Sequence, residues 1–251
     1  DDVSITNGSV LLTNSTPLLG SFTVRGASLV FSNWNTTLSV ASNLLLQTNG
    51  VLTLSNSFTN TATSNSMVLV CRDLMIEPGG GINADGKGFQ GAYSPTAGVV
   101  NGHGPGGGAG NTIGGGCGGG SYGGRGGAGN GQGDASRAPV YGSTNAPGSP
   151  GSGAGAGVYG NAWGGDGGGR VRVQASGDVT VNGTISANGL KDPESPGWRS
   201  GGGSGGGIYV TCRRLLGSSG LLEAKGGGPT YGEGGGGGGG RVAVWASRHG
   251  F

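Results

Sequence analysis

Short runs in which apolar and polar residues alternate recur along this chain, most clearly in VRVQASGDVTVNGTISANG (171–189) and IYVTCRRLLGSSGLLEAKG (208–226). The two align without a gap at an offset of 37 residues, pairing Val171 with Ile208, Val173 with Val210, Ala175 with Cys212, Val179 with Leu216, Ile185 with Leu222 and Ala187 with Ala224. A third copy, MVLVCRDLMIEPGGGINADG (67–86), carries Cys71-Arg-Asp-Leu-Met where the second has Cys212-Arg-Arg-Leu-Leu. A fourth begins at Arg241 and runs through a single strand toward Phe251. Alternation with a period of two marks strands with one buried face. No copy can bury its apolar face alone, so neighbouring copies must stack, which is the logic of solenoids. Each copy reads as one rung, two strands joined by a corner.

The first 66 residues carry the same signature in shorter form: SFTVR (21–25), SLVF (28–31), TLSV (37–40), NLLLQ (43–47) and VLTL (51–54). Asn-Gly, Arg-Gly and Ser-Asn pairs between them supply turns. Two regions are expected: Ser/Thr/Asn-rich rungs over 1–66, and rungs with Gly-rich insertions over 67–251. The insertions, at 87–169, 190–207 and 227–240, all leave just after an Ala-x-Gly, at Ala84, Ala187 and Ala224. Insertions at one repeat position emerge on one side of a solenoid. The fold class expected is all-β, a β-solenoid (β-helix-like) with ordered, polyglycine-II-like insertions packed on one side.

Composition sharpens that picture. Glycine supplies 66 of 251 residues, a content that usually signals low complexity. Collagen is excluded because the Gly-X-Y period breaks at Gly153, Gly155 and Gly157. Extended segments without Cβ atoms can instead pack backbone to backbone, with Tyr122, Tyr141, Tyr159, Trp163 and Trp198 as packing anchors among the glycines. Charged residues make up only 10% and the net charge is +2, a surface with little to keep copies apart. No Lys/Arg cluster points to nucleic acid, and no apolar run of membrane-spanning length points to membrane insertion. The start at Asp1-Asp-Val, without an apolar leader, fits either a processed secreted protein or a trimmed chain.

The segments Gly183-Thr-Ile-Ser-Ala-Asn-Gly189, Gly203-Ser-Gly-Gly-Gly-Ile-Tyr-Val210 and Gly80-Gly-Ile-Asn-Ala-Asp-Gly-Lys-Gly88 resemble a group of long, Gly-rich secreted or surface proteins of bacteria. The resemblance covers roughly 67–251 and implies large extracellular assemblies or surface coats, with no catalytic role.

Candidate chemistry is sparse. Gly-x-Gly-x-x-Gly matches lack the strand and helix that a dinucleotide site needs. His103 and His249 stand outside any cluster of metal-ligand spacing. Asp85, Asp134 and Asp166 lie in Gly-rich turns and read as turn-formers before calcium ligands. Asp192 with Glu194 is the one close carboxylate pair, in a Pro-bracketed loop, and reads as turn chemistry; a cleft grouping arginines with carboxylates would revive a polysaccharide-degrading enzyme. Cys71 and Cys212 share a repeat position and cannot bond if another rung separates them; Cys117 is the alternative partner.

The expectation is therefore no enzyme and no cofactor, but a secreted structural protein that partners with itself. Copies would stack head to tail through Asp2, Val3, Ile5, Val10 and Leu12 at one end and Val242, Val244, Trp245 and Phe251 at the other. The alternative is a surface adhesin that binds glycans through the aromatic residues of the Gly-rich face.

Overall fold

The computed structural model describes residues 1–60, 66–95, 98–111, 115–157, 161–193, 199–230 and 232–249. Among them there is no α-helix, and one short 3-10 turn spans Asp134–Ser136. The alternating runs are strands, laid down in successive circuits. The first circuit holds β1 (Val3–Ile5) and β2 (Gly8–Leu12); the second β3 (Phe22–Val24), β4 (Ala27–Phe31) and β5 (Thr36–Ser39). The third has β6 (Asn43–Leu46), β7 (Val51–Leu54) and β8 (Met67–Cys71). In the fourth, β9 (Asp73–Ile76) and β10 (Gly81–Asn83) precede a long excursion, containing β11 (Tyr93–Ser94) and β12 (Ala162–Trp163), before β13 (Arg170–Ala175). Then come β14 (Asp178–Val181), β15 (Thr184–Ser186), β16 (Gly207–Leu216), β17 (Leu221–Glu223) and β18 (Arg241–His249).

Strands one circuit apart pair in parallel, and only β11 with β12 is antiparallel. One stack runs β1-β3-β6-β9-β14 and onto the second half of β16; another runs β5-β8-β13, the first half of β16, and β18. Because β16 belongs to both, these form one curled 10-stranded sheet; β2-β4-β7-β10-β15-β17 is a separate 6-stranded sheet. Each full circuit thus contributes three strands, not the two read from the sequence. The corner at Ser176 and Gly177 divides what looked like one alternating run into β13 and β14.

Period-two alternation puts one residue in two inside, and in-register pairing turns those residues into columns. Leu44, Leu74 and Val179 form one; Leu29, Leu52, Ile82 and Ile185 another; Leu38, Leu69, Val173 and Val210 a third. All are buried in one core that takes in residues from both sides of position 66. Each such side chain contributes about 1.5–3 kcal/mol by leaving water. Corners follow the turn chemistry: Asn49 and Gly79 hold the same corner of consecutive circuits with φ of 57° and 79°, and the Asn49 N–H donates to the Gly79 carbonyl at 2.8 Å. Left-handed backbone of this kind favours Asn and Gly.

The gapless alignment needs one correction. Val171 lies beside Ile208 and Ile185 beside Leu222, but Val179 lies beside Leu215 rather than Leu216. At the corner Ser176 and Gly177 face the single residue Arg213, whose N–H donates to the Gly177 carbonyl at 2.8 Å. β16 passes straight through where β13 and β14 break, so it needs one residue fewer, a two-against-one count like that of a bulge. The residue returns in the turn at Gly217, whose φ is 137°.

All three insertions leave the stack after β10, β15 and β17 and re-enter at β13, β16 and β18. Each closes on the alanine it departed from: the N–H groups of Gly169, Gly206 and Gly240 donate to the carbonyls of Ala84, Ala187 and Ala224, each at 2.7 Å. Insertion length is therefore immaterial to the stack. The glycine segments then bond to one another. Cys117 and Gly120 donate to Arg199 and Gly202, Gly202 and Gly205 to Gly235 and Gly238, and Gly235 and Gly238 back to Cys117 and Gly120, at 2.7–3.0 Å. Three backbones thus close a hydrogen-bonded triangle that repeats every third residue.

Candidate functional site

Two regions gather the residues singled out from sequence: the ends of the strand stacks, and the glycine layer with its aromatic side chains. Among the described residues, β1 at one end pairs only with β3 and β2 only with β4. Val3, Ile5 and Leu12 are half-buried and extend the core columns, while Val10 is exposed and Asp2 accepts the Ser21 hydroxyl at 2.8 Å. At the other end β17 pairs only with β15 and β18 only with β16. There Val244 packs on the core and Val242 is exposed; Trp245 is 56% exposed, its indole N–H donating to the Asn145 carbonyl at 2.7 Å. Phe251 lies outside the described residues. Sequence reasoning missed Leu11, 58% exposed on β2, and Leu221, exposed on β17. The signal was available, since both lie in apolar pairs of terminal strands.

The aromatic residues divide into two groups. Tyr122 is fully buried, its ring 4.9 Å from Tyr141 and 5.5 Å from the Arg241 guanidinium. The Tyr141 hydroxyl donates to the Pro150 carbonyl at 2.6 Å and shares a hydrogen bond with Ser152 Oγ at 2.8 Å, and burial raises both phenols above their ordinary pKa. Trp163 instead stacks on Tyr93 at 3.9 Å across the antiparallel β11–β12 pair, with both rings partly exposed. Tyr159 and Trp198 lie outside the described residues. A second aromatic group, missed in the sequence, sits where the layer meets the stacks. Phe58 and Phe89 meet edge to face at 4.9 Å and, with Trp34 and Tyr141, line a cavity of about 350 Å³.

The carboxylates have defined partners. Asp166 accepts the Gly91 N–H and the Ser57 hydroxyl, each at 2.7 Å, and its pKa is raised by burial despite those bonds. Asp192 accepts the Thr230 N–H and is likewise raised by burial, while Glu194 lies outside the described residues. Asp85 accepts the Asn188 N–H at 2.6 Å. Among the described residues no three of His, Cys, Asp and Glu come together as a metal site would require. Cys71 on β8 and Cys212 on β16 lie on opposite sides of β13, Cys71 paired with Ala175 and the neighbour of Cys212, Thr211, with Gln174, and Cys71, Cys117 and Cys212 are buried free thiols. Burial, helped by the Asp73 charge, pushes the Cys71 thiol up to about 12, and burial pushes Cys117 up to about 11.

One grouping was not legible in the sequence. Asp73 and Asp178 stand side by side on β9 and β14, and Arg72, Arg213 and Arg214 surround them. Asp178 is held below its ordinary carboxylate pKa, first by its hydrogen bonds to Arg214 and then by the charges of Arg214 and Arg213. The contribution of Asp178 is thus present above the unfolded value of about 3.9 and is lost as pH falls through the folded pKa. Asp178→Asn should lower the melting temperature at neutral pH and cost progressively less in acid. A pH-independent difference would refute that coupling. A carboxylate held as the anion is a poor general acid, and the grouping of arginines with carboxylates in one cleft is the arrangement named above as reviving a polysaccharide-degrading enzyme.

No family model, curated protein or solved structure matches this chain. No helix among the described residues is long and apolar enough to cross a membrane.

Proposed function

We propose that the chain is a structural subunit of an extracellular assembly, a β-solenoid whose ends stack head to tail on further copies. The observation that carries this reading is the pair of unpaired, parallel, apolar edges in line with the core columns. β17 would take up β2 of the next copy, and β18 would take up residues 16–19, which already bond to Thr37 and Ser39 as a strand does. Stacking β17 on β2 would bury Leu222 against Val10 and continue the column of Leu29, Leu52, Ile82 and Ile185 across the junction. A chain with only 10% charged residues offers little repulsion against this.

In this reading the glycine layer is a polyglycine-II-like lattice that stiffens one side of the rod. The support is its three-residue bonding period, that of an extended helix with three residues per turn. The resemblance to Gly-rich bacterial surface proteins agrees with a coat or fibre. Sedimentation should report a mass that rises with protein concentration, and Leu11→Lys with Val242→Lys should abolish the rise. A monomer at every concentration would sink the proposal. The second reading, an adhesin that contacts glycans, is favoured by the exposed Tyr93–Trp163 stack; silence on a glycan array would remove it.

A further inference from the structure

The outer face of the β6-β9-β14 stack carries a cleft of about 610 Å³ that the assembly reading does not use. Its shape comes from one glycine. Gly177 lies between Arg72 and Arg213 in the order of the strands, its N–H donating to the Arg72 carbonyl at 2.7 Å and its carbonyl accepting from Arg213. A Cβ at Gly177 would collide with the Asp73 carboxylate. With no side chain there, two guanidinium groups flank an open floor, two strand spacings or about 9.6 Å apart at the backbone.

The cleft has donors to spare. Asp178 is already gripped by Arg214 through both carboxylate oxygens. Arg213 adds only a 3.3 Å contact and is 54% exposed, while Arg72 approaches Asp73 no closer than 3.5 Å and is 70% exposed. Arg72 and Arg213 thus face the cleft with N–H groups to spare, and with Arg214 behind Asp178 the cluster of three guanidinium groups and two carboxylates carries one net positive charge. The rest of the lining is mixed: Leu45 and the exposed thioether of Met75 give an apolar strip, and Asn43 and Thr180 give hydroxyl and amide groups. A ligand matched to this lining has carboxylates for the guanidinium forks, a C–H face for the strip and hydroxyls for the polar rim.

We infer that this cleft binds a carboxylated sugar chain, of the polyuronate class, with carboxylates engaged by Arg72 and Arg213. Titration of the full chain with tetragalacturonate should give saturable binding that weakens with added salt. The fully methyl-esterified tetramer, the same sugar without the charges, should bind at least about tenfold more weakly. Arg72→Gln with Arg213→Gln should lose about a hundredfold, on the order of tenfold for each charge-assisted bond. Both side chains are exposed, so the fold should survive, as a melting curve would verify. Met75→Glu, which puts a like charge on the strip, should abolish binding independently, and Val140→Ala, at an exposed position outside the lining, should leave it unchanged. No binding of the acid form, equal binding of the ester, or full affinity in the double arginine variant would each overturn the inference.

Discussion

Gly237→Val collapses the glycine layer, whereas Gly133→Ala leaves stability unchanged or raises it slightly. Gly237 lies in the triangle of segments around Cys117, Gly202 and Gly235, and donates its N–H to the Gly227 carbonyl at 2.8 Å. The carbonyl of Gly203 occupies the place a Cβ would take, and it is backbone, held by its own bonds within the lattice. A flexible side chain could swing away; this carbonyl cannot move without breaking the adjoining hydrogen bonds. Overpacking in a close-packed interior costs about 1–3 kcal/mol even when side chains can adjust, so a loss at or above the upper end of that range is expected. At Gly133 nothing lies within 4 Å of the added carbon and φ is −77°, so alanine fits and reduces the freedom of the unfolded chain. Chemical denaturation of the two variants is the measurement. Equal stability would mean that the layer is not close-packed.

Leu52→Ala comes next in expected size. Leu52 is fully buried on β7, with Leu29 on one side and Ile82 on the other. Removing it leaves a hole between two in-register neighbours that are fixed by strand pairing and cannot close in. Leucine-to-alanine changes at such sites cost about 2–5 kcal/mol, and the upper half of that range is expected here. Leu45→Ala, at an outward position of β6, should cost much less, since Leu45 is only partly buried. A similar loss for both would contradict the inward and outward assignment of the columns.

These two variants mark what could and could not be read from the chain. The strands and their buried positions were legible because alternation and in-register repetition both leave a trace in sequence: Ile82, Ile185 and Leu222 fall in one column as the repeats imply. The slip at Val179 was not, because Arg213-Arg-Leu-Leu offers leucine at two successive positions and either satisfies the apolar pattern. Only the geometry of the corner selects Leu215. The third strand of each circuit was hidden for a related reason, since Ser176 and Gly177 read as a continuation until the backbone is seen to turn.

The candidate sites follow the same division. The strand at Arg241 could be named from its repeat position, whereas no repeat aligns with residues 1–12. The charged cleft could not, because Arg72, Asp178 and Arg213 come from three circuits and meet only through strand pairing. The glycines gave the location of the layer but not its bonding. Which backbone each N–H meets depends on segments as far apart as Cys117 and Gly235.

The central claim is assembly through the open strand edges, and cryo-electron microscopy of the concentrated protein addresses it most directly. The account predicts filaments in which the 251-residue chain repeats along an axis, with β17 and β18 of one copy hydrogen-bonded to β2 and residues 16–19 of the next. Isolated particles with bare edges, or filaments joined through the glycine layer instead, would contradict it.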